Sequence, residues 1–186
     1  MPERSTIHDP RSAHLEILSK SVETTQRLGE QLGARLSPGD VLALVGELGS
    51  GKTTFVQGLA KGLGIDPGRV KSPTFVLLRE YPGRVPLTHI DGYRLDGPES
   101  AMWLDLDWLF SKKNVTTIEW ADRVAGCLPD DYLELQFAHR TTNQRAIRVI
   151  AHGARSRELV AALQQAAGQP QEEAGDAPVP EPESAP

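Results

Sequence analysis

The residues best equipped for chemistry are contiguous: Gly46-Glu47-Leu48-Gly49-Ser50-Gly51-Lys52-Thr53-Thr54. Their spacing is G-x-x-x-x-G-K-[ST], and each fixed residue type has a physical reason. Glycines let successive backbone N–H groups turn inward and approach phosphate oxygens closely. A helix starting near Lys52 adds the positive end of its dipole. Lys52 supplies a mobile cation for β- and γ-phosphates, and the Thr53 hydroxyl is placed to ligate Mg²⁺. A glycine-rich turn that merely joins a strand to a helix would need neither the lysine nor the hydroxyl. The stretch reads as a phosphate-binding loop for a nucleoside triphosphate.

Such a site also needs a carboxylate to hold the metal, directly or through water. Asp91 closes "PLTHID" and Glu119 closes "NVTTIE", each at the carboxyl end of a candidate strand, where ligands gather in an α/β sheet. Alone, either acid reads equally as a solvated strand end; beside the phosphate loop, both are expected near the metal. Ser72-Pro73-Thr74 forms a proline-stiffened loop whose hydroxyls can sense a γ-phosphate, although by itself it would be only a turn. Guanine specificity usually needs N/T-K-x-D, which does not occur, and an ABC-type signature is also missing. By elimination the nucleotide is ATP, with Mg²⁺ as cofactor.

These residues must be held by a scaffold, and the surrounding patterns predict one. Ser21 can cap a helix carrying Val22, Thr25, Leu28, Leu32 and Leu36 on one face. Residues 41–45, "VLALV", read as a strand buried on both faces. After the loop, Phe55, Leu59 and Leu63 mark a helix stopped by Gly64 and Pro67. "FVLLREY" and "VPLTHID" flank Pro82-Gly83 and predict two strands joined by a turn. Pro98 and Glu99 suit the first turn of a short helix running towards Phe110. "NVTTIEW" predicts another strand, "YLELQF" and "AIRVIAH" a hairpin, and residues 156–167 a last helix. The expected fold is α/β: a single domain of the P-loop NTPase type, with a mixed parallel and antiparallel sheet flanked by helices.

The chain of 186 residues suits one such domain, taken as residues 14–167. Residues 1–13 read as a flexible lead-in and 168–186 as a disordered acidic, proline-rich tail. That tail carries five acids and no lysine or arginine, and the remaining 20 acids balance 20 bases. The net charge of −5 therefore belongs to the tail, and no basic nucleic-acid footprint stands out. No apolar run approaches the roughly 20 residues of a membrane span. The N-terminus lacks a secretory pattern, and Cys127 is the only cysteine, which fits a reducing compartment and a cytoplasmic protein.

In order, "GELGSGKTT", "KSPTF", "HIDGYRL", "IEW" and a following "LPD" resemble the TsaE family, also called YjeE, over residues 21–150. The resemblance implies a P-loop ATPase needed for threonylcarbamoyladenosine in transfer RNA, working with TsaB and TsaD and meeting tRNA only through that complex. It implies weak hydrolysis in isolation and no transfer of the threonylcarbamoyl group by this chain. Carried over by position, Lys52 and Thr53 hold phosphate and Mg²⁺, Glu119 joins Thr53 at the metal, and Asp91 is a switch acid. Ser72 and Thr74 form the first switch loop, Arg145 matches a basic residue near the nucleotide, and Ser21 lies near an adenine-side contact. Trp120 either wedges the strand end into the core or meets a partner. Arg145 and Ser21 read equally as a hairpin arginine and a helix cap. Two positions depart from the family pattern: Gly92, where a larger apolar residue is usual, and Asp105, where glycine is usual. The alternatives are a small-molecule kinase on the same loop and a nucleotide-gated interaction module.

Overall fold

The computed structural model describes residues 14–95 and 105–167. Seven strands form one sheet: β1 (His14–Ser19), β2 (Val41–Gly46), β3 (Leu78–Tyr81), β4 (Leu87–Asp91), β5 (Val115–Glu119), β6 (Leu133–His139) and β7 (Arg145–Ala151). Their spatial order is β1-β7-β6-β2-β5-β4-β3. The four central strands β6, β2, β5 and β4 run parallel, while β3 pairs antiparallel with β4 on one side and β7 pairs antiparallel with both β6 and β1 on the other. The mixed sheet is the expected one. β2 lies between β5 and β6 and is buried over Val41–Leu44, so both faces of this short apolar run are used.

Helices α1 (Val22–Gly33), α2 (Lys52–Gly62) and α4 (Ala154–Ala167) cover one face, packing Leu32, Phe55, Leu59 and Leu163 onto Leu42, Leu44, Leu135 and Val149. The other face carries Ala43, Ile90 and Ile118, covered by the short α3 (Leu106–Leu109) and a 3₁₀ segment, Ala121–Cys127. α1 and α2 approach backbone to backbone. A Cβ on Gly58 would collide with the Gln26 carbonyl, and one on Gly29 with the Phe55 carbonyl. Glycine is needed there for the contact itself, and that contact braces the helix that follows the glycine loop. Among the described residues no helix is long and apolar enough to cross a membrane.

Several elements differ from expectation. β1 was absent from the sequence reading, although Leu15 and Ile17 alternate with His14, Glu16 and Leu18 as a strand should. α1 stops at Gly33, while Leu36 stays buried beyond it. The strand expected from Phe75 begins only at Leu78: Val76 and Leu77 N–H both bond to the Pro73 carbonyl, and Leu77 takes φ 67°. That turn leaves Phe75 86% exposed. α4 starts two residues early because the Asp131 carboxylate accepts from Arg155 N and Ser156 N. The 3₁₀ segment Ala121–Cys127 was not anticipated. Asp105 caps α3 by accepting from Trp108 N, which gives the acid a local structural role. The expected start of that helix at Pro98 lies outside the described residues, as do the lead-in and the tail.

Candidate functional site

β2 delivers the chain into the loop at Gly46, and α2 carries it away from Gly51. Gly46, Gly49 and Gly51 take φ of 146°, 74° and 106°, conformations that side chains resist. The loop can therefore curl so that α2 begins directly above the end of β2. The Ser50 hydroxyl is buried in this curl with no hydrogen-bond partner. Lys52, 4% exposed, folds back so that Nζ donates to the Gly46 and Glu47 carbonyls at 2.6 and 2.9 Å. Its ammonium also lies 4.1 Å from the centroid of the Trp120 ring. Burial pushes the Lys52 pKa down, opposed in part by the charges of Glu119, Asp91 and Asp122.

The parallel pairing of β4 with β5 sets Asp91 opposite Glu119 in register, so both acids reach the same end of the sheet on one face. Glu119 accepts from the Thr53 hydroxyl, which sits 2.9 Å from Oε1 and 3.1 Å from Oε2. His89 Nε2 lies 2.8 Å from the same Oε1. Asp91 is held differently: Oδ2 accepts from the Ser72 and Thr74 hydroxyls at 2.6 and 2.5 Å, and Oδ1 from Tyr93 N at 2.9 Å. The residue after Asp91 is tightly confined, because a Cβ on Gly92 would lie 3.0 Å from the Trp120 carbonyl. A larger side chain at position 92 would press on that carbonyl.

A cleft of about 340 Å³ opens above the loop, and its walls include every residue from Leu48 to Thr54 together with Ser72, Thr74, Asp91 and Glu119. Three residues named from the sequence stand apart. The Glu47 side chain is exposed, and only its carbonyl enters the site, through Lys52. Ser21 caps α1 by accepting from Thr24 N and is not in the cleft wall. Arg145 is at the rim: its Nε lies 3.8 Å from where a Gly51 Cβ would be, while Nη1 donates to the Thr142 carbonyl.

Sequence reasoning missed three contributions. Tyr93 and Trp120 form one wall, with ring centroids 5.1 Å apart. Trp120 takes φ 56°, unusual for a bulky residue, and this turns its ring over Lys52 instead of into the core or only outward. His89 was visible only as a strand residue two before Asp91, hence on the same face. Its link to Glu119 needed the pairing of β4 with β5.

The donor set suits an anionic, metal-bearing ligand. Lys52 donates to two carbonyls that it can leave, the Ser50 hydroxyl has no partner, and each carboxylate takes at least one hydroxyl that can rotate away. Residues 19–147 match the family model described as "Threonylcarbamoyl adenosine biosynthesis protein TsaE". The tRNA threonylcarbamoyladenosine biosynthesis protein TsaE of Bacillus subtilis is 40% identical over 134 residues, covering 72% of this chain and 83% of that protein. The protein of the same name from Streptomyces coelicolor is 44% identical over 115 residues, covering 60% and 76%. A crystal structure of Bacillus subtilis YdiB superposes with a TM-score of 0.71 at 32% identity, covering 84% of this chain and 98% of that one. The fold is that of a P-loop NTPase, and the chain belongs to the TsaE family.

Proposed function

We propose that this member of the TsaE family binds and hydrolyses ATP with Mg²⁺, and that it serves threonylcarbamoyladenosine formation in tRNA together with TsaB and TsaD. It acts in the cytoplasm, reaches tRNA only through that complex, and does not itself transfer the threonylcarbamoyl group. The observation that carries the reading is the Thr53 hydroxyl on the Glu119 carboxylate directly beside Lys52 and the glycine loop. This pairing across 66 residues of sequence is what a nucleotide–magnesium site requires and a plain glycine turn does not.

Glycine-loop N–H groups and Lys52 bind the phosphates, with Arg145 at the rim and Thr54 in the wall behind. Thr53 and Glu119 hold Mg²⁺, with Asp91 close by; the ion, when bound, offsets charge on the β- and γ-phosphate oxygens. Asp91 orients the attacking water by accepting a hydrogen bond from it, and Ser72 and Thr74 release Asp91 to do so. Catalysis is then mostly positioning and charge stabilisation, with ADP and phosphate as products. Slow turnover by the chain alone follows, because none of its motifs supplies an evident arginine finger.

The test is ATP turnover with and without TsaB and TsaD. Glu119→Ala is expected to weaken the Mg²⁺ dependence of ATP binding as well as turnover. Asp91→Ala is expected to bind MgATP nearly normally and to stop turning it over. Stimulation by a small-molecule phosphate acceptor, with no response to TsaB and TsaD, would instead make the chain a kinase.

A further inference from the structure

We propose that His89 is a positioning residue whose Nε2–H fixes the Glu119 carboxylate and thereby sets the affinity for Mg²⁺; this rests on Glu119 belonging to the metal site. His89 is completely buried, and Glu119 is 3% exposed. Their 2.8 Å contact runs diagonally from β4 to β5, because His89 is in register with Thr117 and Glu119 with Asp91. A carboxylate that must meet a metal needs one oxygen anchored so that the other points outward. Thr53 cannot anchor it, because its hydroxyl lies within 3.1 Å of both oxygens and is itself the group that turns to the cation. His89 touches Oε1 alone.

The other side of the ring argues against a mere packing role. His89 Nδ1 is buried with no partner, and so is the hydroxyl of Thr117, its register neighbour on β5. An apolar side chain would fill this space without leaving a polar atom unsatisfied. The imidazole is favoured there by what its Nε2 end does. With a carboxylate accepting at Nε2, the neutral ring carries its proton on that nitrogen.

The experiment measures ATP binding in EDTA and across a Mg²⁺ titration for the full chain, His89→Phe and His89→Gln. Phenylalanine keeps the shape and loses the donor; glutamine keeps a donor at similar reach. Binding in EDTA is expected to agree within about twofold among the three, whereas the Mg²⁺ requirement rises about tenfold in His89→Phe. His89→Gln is expected to recover most of that loss. A His89→Phe protein with the parent's Mg²⁺ requirement, or a His89→Gln protein no better than His89→Phe, overturns the proposal. If the parent's ATP binding ignores Mg²⁺, the metal site itself is wrong, and the proposal falls with it. Should the variants not fold, imidazole ¹⁵N spectra of the parent protein still decide: the Nε2–H tautomer is required, and the Nδ1–H tautomer refutes.

Discussion

The sheet carries carboxylates at each end, and the two sets are held differently. At the amino end of β2, Asp40 takes Arg155 Nε and Nη2 at 3.0 and 2.9 Å and Ser37 N at 2.8 Å. The same guanidinium reaches the Arg35 carbonyl, tying α4 to the end of α1. Nearby, Asp131 closes the first turn of α4 through two backbone N–H groups. These donors are a planar fork and fixed backbone, which cannot turn away without disturbing a helix. At the carboxyl end, Asp91 accepts from the Ser72 and Thr74 hydroxyls besides Tyr93 N, Glu119 from the Thr53 hydroxyl besides its contact with His89 Nε2, and Lys52 donates to carbonyls. Each of the hydroxyl and ammonium bonds is lost or exchanged by rotating a side chain, while Tyr93 N and His89 stay in place. The same residue chemistry thus serves as a clamp at one end and as a replaceable plug at the other.

The sharpest way to break this comparison is Lys52→Ala. Removing the cation should cost about a hundredfold or more in ATP affinity, from lost charge-assisted bonds worth about 3 kcal/mol. The fold should not suffer, because burial lowers the Lys52 pKa: the folded state penalises the charged form at neutral pH, and the penalty fades as pH rises through the lowered pKa. Melting should stay within about 2 °C of the parent or rise. A large loss of stability with intact nucleotide binding would reverse the roles of the two ends.

At the clamp the opposite pattern is expected. Asp40→Ala should lower stability by about 2 kcal/mol, discounted from a fully buried pair because the Arg155 side chain is 39% exposed. ATP affinity should remain that of the parent. Denaturant melts and nucleotide titrations on the same preparation separate the two effects.

The smallest effect belongs to a third pair, on the β6–β7 hairpin, which is neither clamp nor plug. Glu134 accepts from His152 Nε2 at 2.7 Å, and this bond leads the causes that hold its pKa below the usual value. A lowered carboxylate pKa stabilises the fold above the ordinary Glu range, and that contribution is lost as pH falls through the lowered value. His152→Ala should therefore cost about 0.5 kcal/mol at neutral pH, with the difference shrinking below about pH 4. Melts compared between pH 3 and pH 7 check the sign.

How much of this was legible in the sequence depended on how local each interaction is. The glycine loop between β2 and α2 could be read because it is nine consecutive residues and its glycines declare their backbone. Asp91 and Glu119 could be named as strand ends, yet their different donors depend on which strands pair. The turn at Phe75 was hidden because the apolar run Phe75-Val76-Leu77-Leu78 looks like a strand until the Pro73 carbonyl captures two N–H groups. β1 was overlooked because its inward set is only Leu15 and Ile17, too short a pattern to stand out beside a lead-in. The clamp at Asp40 was invisible for the plainest reason: its partner is 115 residues away.

One consequence concerns light. The Trp120 indole, fixed at φ 56° beside Tyr93, holds the Lys52 ammonium 4.1 Å from its ring centre. Any anion that draws that ammonium off the Gly46 and Glu47 carbonyls also draws a full positive charge off the face of a fluorophore. The glycine loop is thereby wired to an emission signal, carried by one of the chain's three tryptophans.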